Sequence, residues 1–414
     1  MDRFLPATLG AACLVAGLVL PGMAQAQEPG GLRLTFGIDQ GLHWRDNPDL
    51  DIPSSGTEAT SRTQLRFGLV AETRIQRLAF DLGGTVVAGN GSEKGLTTPS
   101  ATLAYRLESA ATALELEAFL READVDTLDF IFGGDDLDAP VVTAVTGSGT
   151  RRQTGATASV EFGRDAPFGG RFSLGRTETD YVDTTDPSLI DNHRTTARLA
   201  LRFDLTEVTS ATTTLSATRL EEAGAPREDT ETLTIGLTHS RPDGAYSASM
   251  TIGRTEDGTR ESLSFGRSLD LPAGQLSASL GLSRPVTGKT QGIGTLDWQQ
   301  DLAHATFRLG LARSVTGNDR DEETRVSRLT LSYAQELTPT LGLNLSAGLQ
   351  DSSETQTGLS SRTTNLSASL RQELAQDWGL NLGVTHRIKD DSAAGRARSN
   401  GVFLSLSRDF VFYP

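Results

Sequence analysis

The sequence predicts an all-β chain, closed as a transmembrane antiparallel up-and-down barrel of about twenty strands. Two observations carry this. Apolar and polar residues alternate with period two along most of the chain, and the alternating arms are joined in pairs around short polar corners. Beyond the N-terminus no run of about 20 apolar residues exists, so helical membrane spans are excluded. Repeated two-faced hairpins must either stack or close into a ring.

The repeat is clearest between Arg328 and Gln350. Leu329, Leu331 and Tyr333 alternate with Thr330, Ser332 and Ala334 before the corner Gln335-Glu336-Leu337-Thr338-Pro339. Leu341, Leu343, Leu345, Ala347 and Leu349 then alternate with Gly342, Asn344, Ser346 and Gly348. Related corners at Asp301, Glu336, Glu373 and Asp409 follow one another at spacings of 35, 37 and 36 residues.

Leu5 to Leu20, then Pro21-Gly22 and Ala24-Gln25-Ala26, read as a secretory signal over 1–26, leaving 27–414 as the barrel. The single cysteine, Cys13, falls in its apolar stretch, and Gly10 stands where a lipoprotein signal needs a large aliphatic residue. A large secreted chain without disulfides needs another source of stability, which a closed ladder in a bilayer supplies. The net charge of -15 argues against nucleic acid as a partner.

Strands are expected from Leu32 almost without a break, so no plug is predicted ahead of them. Twenty segments of roughly ten residues suit tilted membrane strands. They centre near 32–42, 63–73, 78–88, 100–108, 113–123, 153–163, 171–180, 194–204, 210–220 and 230–240. The others lie near 245–255, 260–269, 275–284, 291–299, 305–314, 325–336, 341–351, 363–373, 378–387 and 400–412. Residues 43–61 read as a loop. Gly292 and Gly294 blur one segment, and the stretch 124–152 has room for a further pair, so counts of 18 or 22 stay open. An even count puts both termini in the periplasm if the short corners lie there.

Phe80, Phe162, Phe172, Phe203, Tyr246, Trp298, Phe307, Trp378 and Phe410 share the apolar face beside short corners, as a periplasmic aromatic belt would. At the other end of that face stand Arg176, Arg219, Arg254, Arg284 and Arg313. These five read either as a girdle for lipid phosphates, with lipopolysaccharide as partner, or as side chains snorkelling to solvent.

The opposite face is small and polar on some segments: Thr232, Thr234, Gly236, Thr238, then Ser247, Ser249, Thr251, Gly253. Elsewhere it is charged, with Arg66, Glu72, Arg106, Glu108, Glu115, Glu117, Arg121, Glu161, Arg198, Arg202 and Asp204. A wide barrel lined this way predicts a passage for small polar solutes, unless loops fold in and block it. The loop holding Asp124, Asp126, Asp129, Asp135, Asp136 and Asp138 is a candidate cation-favouring constriction; an exposed acidic surface loop is the competing reading. Its Asp spacing fits no calcium loop, and neither metal nor cofactor is expected. His43, His193, His239, His304 and His386 fall in no hydrolase motif, so no enzyme is predicted. Inward aromatics are scarce, with Phe119 and Phe403 as the candidates, which argues against a sugar track.

The corner Gln335 to Pro339 and its relatives, with Arg45-Asp46-Asn47 after the first strand, resemble the outer-membrane β-barrel porins of proteobacteria, among them exopolysaccharide-associated porin-like barrels. The final strand, Val402 to Phe412, resembles the C-terminal signal strand of such barrels, although Tyr413-Pro414 overhang it. The resemblance implies an outer-membrane channel, or a barrel serving polysaccharide export or surface assembly, and insertion by the barrel-assembly machinery. A stacked, soluble β-solenoid is the third architecture, and it predicts no lipid-facing belt.

Overall fold

A computed structural model describes residues 31–91, 94–125, 149–184, 189–286, 289–317, 323–354, 358–374 and 377–414. The expected signal segment lies outside them. Twenty strands follow in chain order: β1 Gly31–Asp46, β2 Thr57–Glu72, β3 Gln76–Gly89, β4 Gly95–Glu108, β5 Thr112–Asp124, β6 Thr150–Phe162 and β7 Phe168–Val182. Next come β8 Asn192–Thr206, β9 Thr209–Glu222, β10 Glu228–Arg241, β11 Gly244–Thr255, β12 Gly258–Leu271, β13 Gly274–Arg284 and β14 Gln291–Leu302. The last are β15 Ala305–Gly317, β16 Glu323–Thr338, β17 Leu341–Glu354, β18 Ser360–Glu373, β19 Trp378–Asp391 and β20 Gly395–Phe412.

Each strand pairs antiparallel with its sequence neighbour, and β1 also pairs with β20, so the sheet closes. Twenty strands about 4.8 Å apart and tilted by about 40° make a backbone cylinder roughly 40 Å across. One end carries tight turns such as 242–243, 272–273, 303–304 and 339–340; most long connections are at the other. β1 begins and β20 ends at the turn end.

Strands are longer than the ten residues read from the sequence, running from 11 to 18. The supposed loop 43–61 is a case in point. β1 continues to Asp46 and β2 begins at Thr57, because polar residues beyond the apolar band still alternate between the two faces. The blurred segment is strand β14, with Gly292 and Gly294 facing outward. Whether 124–152 hides a further pair falls largely on residues 126–148, outside those described.

The apolar face points out. Leu280, Leu282 and Phe265 are 78%, 60% and 60% exposed on the outer wall, where a water-soluble chain would have to cover them. Inside, burial differs between the two ends. Thr60, Val87, Thr179, Leu220, Thr324, Val326 and Ser399, facing inward near the loop end, are at most 7% exposed. Near the turn end, the inward side chains of Arg66 and Asp409 are 48% and 67% exposed.

Candidate functional site

The functional surface is the inner wall, and the register divides it into two unlike arcs. Across β4–β8, the inward rows are Arg106, Glu115, Ser159, Ser173, Arg198 and, one step nearer the turns, Glu108, Ala113, Glu161, Arg171, Ala200. These charges close into a ring. Arg106 donates to Glu108 and to Glu115, each at 2.9 Å; Arg171 lies 3.1 Å from Glu115 and 3.4 Å from Glu161. Arg164, from the β6–β7 turn, completes the circuit to Glu108 and, at 3.9 Å, to Glu161. The hydrogen bond to Glu108 holds the Arg164 guanidinium above its ordinary pKa. Three cations and three anions thus alternate around Ala113, which is 3% exposed beneath them. The ring is neutral, and each member holds its neighbours in place.

Other charges stand outside that ring. Glu117 and Arg198 project into the lumen beside Thr157 and Ser173, with no ion pair among the described residues. Arg121 instead lies over the ring of Phe119, 4.8 Å from its centroid. Arg202 is turned toward the carbonyls of Gly163, Arg164 and Ala166 and lies 3.6 Å from Asp204. Arg66 reaches Asp409 at 3.2 Å, crossing β1 where Gly37 leaves room: a Cβ there would sit 2.5 Å from the Asp409 carboxylate.

From β9 to β14 the wall changes character. One row runs Ser210, Thr238, Ser247, Gly266, Ser279, Thr295 across six strands without a charge. Its hydroxyls and those beside it bond to one another, as in Ser249–Ser264 at 2.7 Å, Ser279–Thr295 at 2.8 Å and Thr234–Thr251 at 3.1 Å. Short side chains keep this arc thin, and mutual hydrogen bonds satisfy them without protruding groups.

The two inward aromatics read from the sequence lie flat against glycine, and Tyr181, opposite Arg151 near the loop end, faces inward as well. Phe119 faces Gly155 across the β5–β6 ladder, and Phe403 faces Gly383 across β19–β20. A Cβ on Gly155 or Gly383 would come within 2.6 and 2.4 Å of those rings. His43 stacks on Phe403 with centroids 5.8 Å apart. The other histidines are scattered: His386 contacts Asn400 at 2.7 Å, His239 contacts Thr209 at 2.9 Å, His193 lies 3.6 Å from Glu178, and His304 is in a tight turn. Among the described residues no group of three His, Cys, Asp or Glu could hold a metal.

Asp46 and Asn47, singled out by sequence, join the first loop to the last strand. The backbone N–H and, at 2.9 Å, the side-chain amide of Asn400 donate to the Asp46 carboxylate, while Ser399 donates to its carbonyl at 2.6 Å. Asn47 donates to the Arg398 carbonyl at 3.3 Å, and its own amide oxygen accepts from the N–H groups of Asp51 and Ser55. Arg387 donates to the Pro48 carbonyl.

All nine belt aromatics stand on the outer wall toward the turn end, and Phe168, absent from the sequence reading, fills a gap between Phe162 and Phe203 at 5.9 and 5.0 Å. Trp298 and Phe307 meet edge to face at 5.2 Å. All five arginines are on the same wall toward the loop end. Carboxylates of equal parity accompany them, which the arginine spacing alone did not reveal: Asp229 binds Arg219 at 2.9 Å and Glu261 lies 4.0 Å from Arg284. Of the six loop aspartates, Asp124 ends β5 opposite Thr150, and Asp126, Asp129, Asp135, Asp136 and Asp138 lie outside the described residues.

No family model matches the sequence, and no curated protein matches it. Among solved structures, the chain is similar to the siderophore receptor PirA from Pseudomonas aeruginosa, with a TM-score of 0.52, 10% identity, and coverage of 93% of this chain and 81% of that one. It also aligns with the outer membrane protein OpdK and with OpdO of that organism at TM-scores of 0.45, with 11% and 12% identity, over 92% of this chain and 99% and 98% of theirs. The PirA likeness shows a large closed β-barrel fold, and at such identity it shows the fold alone.

Proposed function

We propose that this chain is an outer-membrane channel for passive passage of small polar solutes or ions. The observation that carries the reading is the inner wall. A cylinder of this size has a lumen far wider than its side chains can fill, and one arc of the lining is built from Ser, Thr and Gly that hold back from the axis. The outer wall supports the location, since an apolar band beneath an aromatic belt suits a bilayer. In that setting the tight turns and both termini face the periplasm, the long loops face outward, and the β20 strand is the segment an assembly machinery would engage.

The neutral charge ring sets the expected selectivity. Matched cations and anions at one level impose little preference for either sign, leaving charges outside the ring, such as Glu117 and Arg198 on the same arc, to act on passing solutes. Liposome swelling tests the proposal: vesicles holding the refolded barrel should swell in small neutral polyols and slow steadily as solute size rises. Vesicles as tight as protein-free ones would refute it.

One observation favours a second reading. The buried inward residues at the loop end mark chain filling that part of the lumen. A barrel serving polysaccharide export or surface assembly, opened only by a partner, would look the same there. It predicts tight vesicles that become leaky when the loop end is trimmed.

A further inference from the structure

Three grooves indent the outer wall, and each ends in one arginine of the loop-end series. The first, about 570 Å³, has Ala118, Ala156 and Ala158 as its floor and Leu103, Leu116 and Leu174 as its sides, with Arg176 at the end. The second, about 460 Å³, runs over Ala197 and Ala217 between Leu215, Leu233 and Ile252 to Arg254. The third, about 640 Å³, runs over Gly292 and Gly294 between Leu280, Leu311 and Leu329 to Arg313. Small outward residues flanked by large ones create each depression.

Within that series the arginines divide on the same lines. Several outside the grooves already face a carboxylate on the wall: Arg152 lies 2.6 Å from Glu122, Arg219 2.9 Å from Asp229, Arg284 4.0 Å from Glu261 and Arg362 2.7 Å from Asp351, while Arg325, Arg396 and Arg398 lie outside the grooves without such a partner among the described residues. Arg176, Arg254 and Arg313 have no hydrogen bond or ion pair among the described residues. Glu231, the register partner of Arg254, is also unpaired and lines the second groove.

We infer that these grooves are seats for phosphorylated, acylated lipid of the outer leaflet, an acyl chain in each groove and a phosphate on its arginine. The inference rests on the membrane reading above. Apolar walls take the chain, and a free guanidinium at the level where head groups begin takes phosphate in bidentate fashion. Arg219 has donors engaged by Asp229, and Arg284, 4.0 Å from Glu261, borders none of the grooves, which narrows a girdle of five to three. Glu231 repels phosphate beside Arg254, so the second seat is the weakest.

The test is native mass spectrometry of the refolded, detergent-solubilised barrel titrated with diphosphorylated lipid A. Up to three retained lipids are expected. Arg176→Gln and Arg313→Gln should each remove one, with about a tenfold rise in that site's apparent Kd for loss of a charge-assisted pair. Arg219→Gln and Arg284→Gln should bind as the parent does, and Glu231→Gln should tighten the second seat. Equal binding by Arg176→Gln and Arg313→Gln, equal losses in the paired-arginine variants, or equal retention of fully dephosphorylated lipid A would overturn it. Insertion into phosphatidylcholine vesicles is scored on the same samples. A barrel that inserts but shows any of those results overturns the lipid seats alone; one that cannot insert overturns the membrane reading and the seats with it.

Discussion

The two arcs of the inner wall solve one problem in different ways. Both must present polar groups to water on a sheet whose other face is apolar. The β4–β8 arc does so with long charged side chains locked in a ring, and the β9–β14 arc with short hydroxyls bonded to neighbours. The ring fixes charges in space, whereas the row from Ser210 to Thr295 keeps its level of the bore wide and uncharged. The comparison assigns selectivity to one side of the barrel and throughput to the other.

The largest expected effect comes from breaking the ring. Arg106→Gln with Arg171→Gln leaves Glu108, Glu115 and Glu161 facing the lumen with Arg164 as their one remaining ring cation. The cation-to-anion permeability ratio should rise severalfold, on the order of three, at low salt and relax as salt screens the carboxylates. Ser249→Ala with Ser264→Ala, on the other arc, should leave the ratio where it was. Reversal potentials across a salt gradient measure both, and an equal shift in the two doubles would erase the distinction between arcs.

Next in size is the packing of the inward rings. Gly383→Leu places a side chain where Phe403 lies and should destabilise the barrel by about 1–3 kcal/mol, through overpacking. Urea unfolding in lipid vesicles gives that number. Gly342→Leu, near the turn end of β17, meets open space apart from one carbonyl at 3.7 Å and should cost far less. A reversed order would mean that the rings do not hold their places.

Effects of that size and below test how β1 and β20 are closed. Asp46→Ala removes the acceptor of two bonds from Asn400 and should cost about 1–3 kcal/mol in the same unfolding measurement. Arg66→Gln breaks an exposed pair across β1 and should cost at most about 1 kcal/mol. If Arg66→Gln proved the more damaging, closure would depend on the ion pair over Gly37 and not on the loop-end latch.

Much of this was legible in the sequence because a strand's period of two assigns every residue to a face. Leu280 and Ser279 fell on their proper sides from alternation alone, and the twenty hairpin arms followed. Register is another matter. Nothing near Glu115 in sequence indicates that Arg171 will stand beside it, since the pairing depends on how β5, β6 and β7 slide past one another. For the same reason Arg254 and Arg219 are alike in sequence, although Asp229 stands against Arg219 alone of the two. Strand ends run further than the sequence indicates where polar or small side chains, such as those from Thr57 to Ser61, alternate without a large apolar residue to mark the face. Phe168 was missed because it precedes the first clear alternation of β7.

The central claim is that the lumen conducts. Single-channel recording of the refolded barrel in a planar bilayer, under a salt gradient, tests it directly. The account predicts large, steady steps with a weak ion preference, as a wide bore with a neutral ring requires. A folded, heat-modifiable barrel that inserts and passes no current would contradict it and give the molecule to the partner-opened reading.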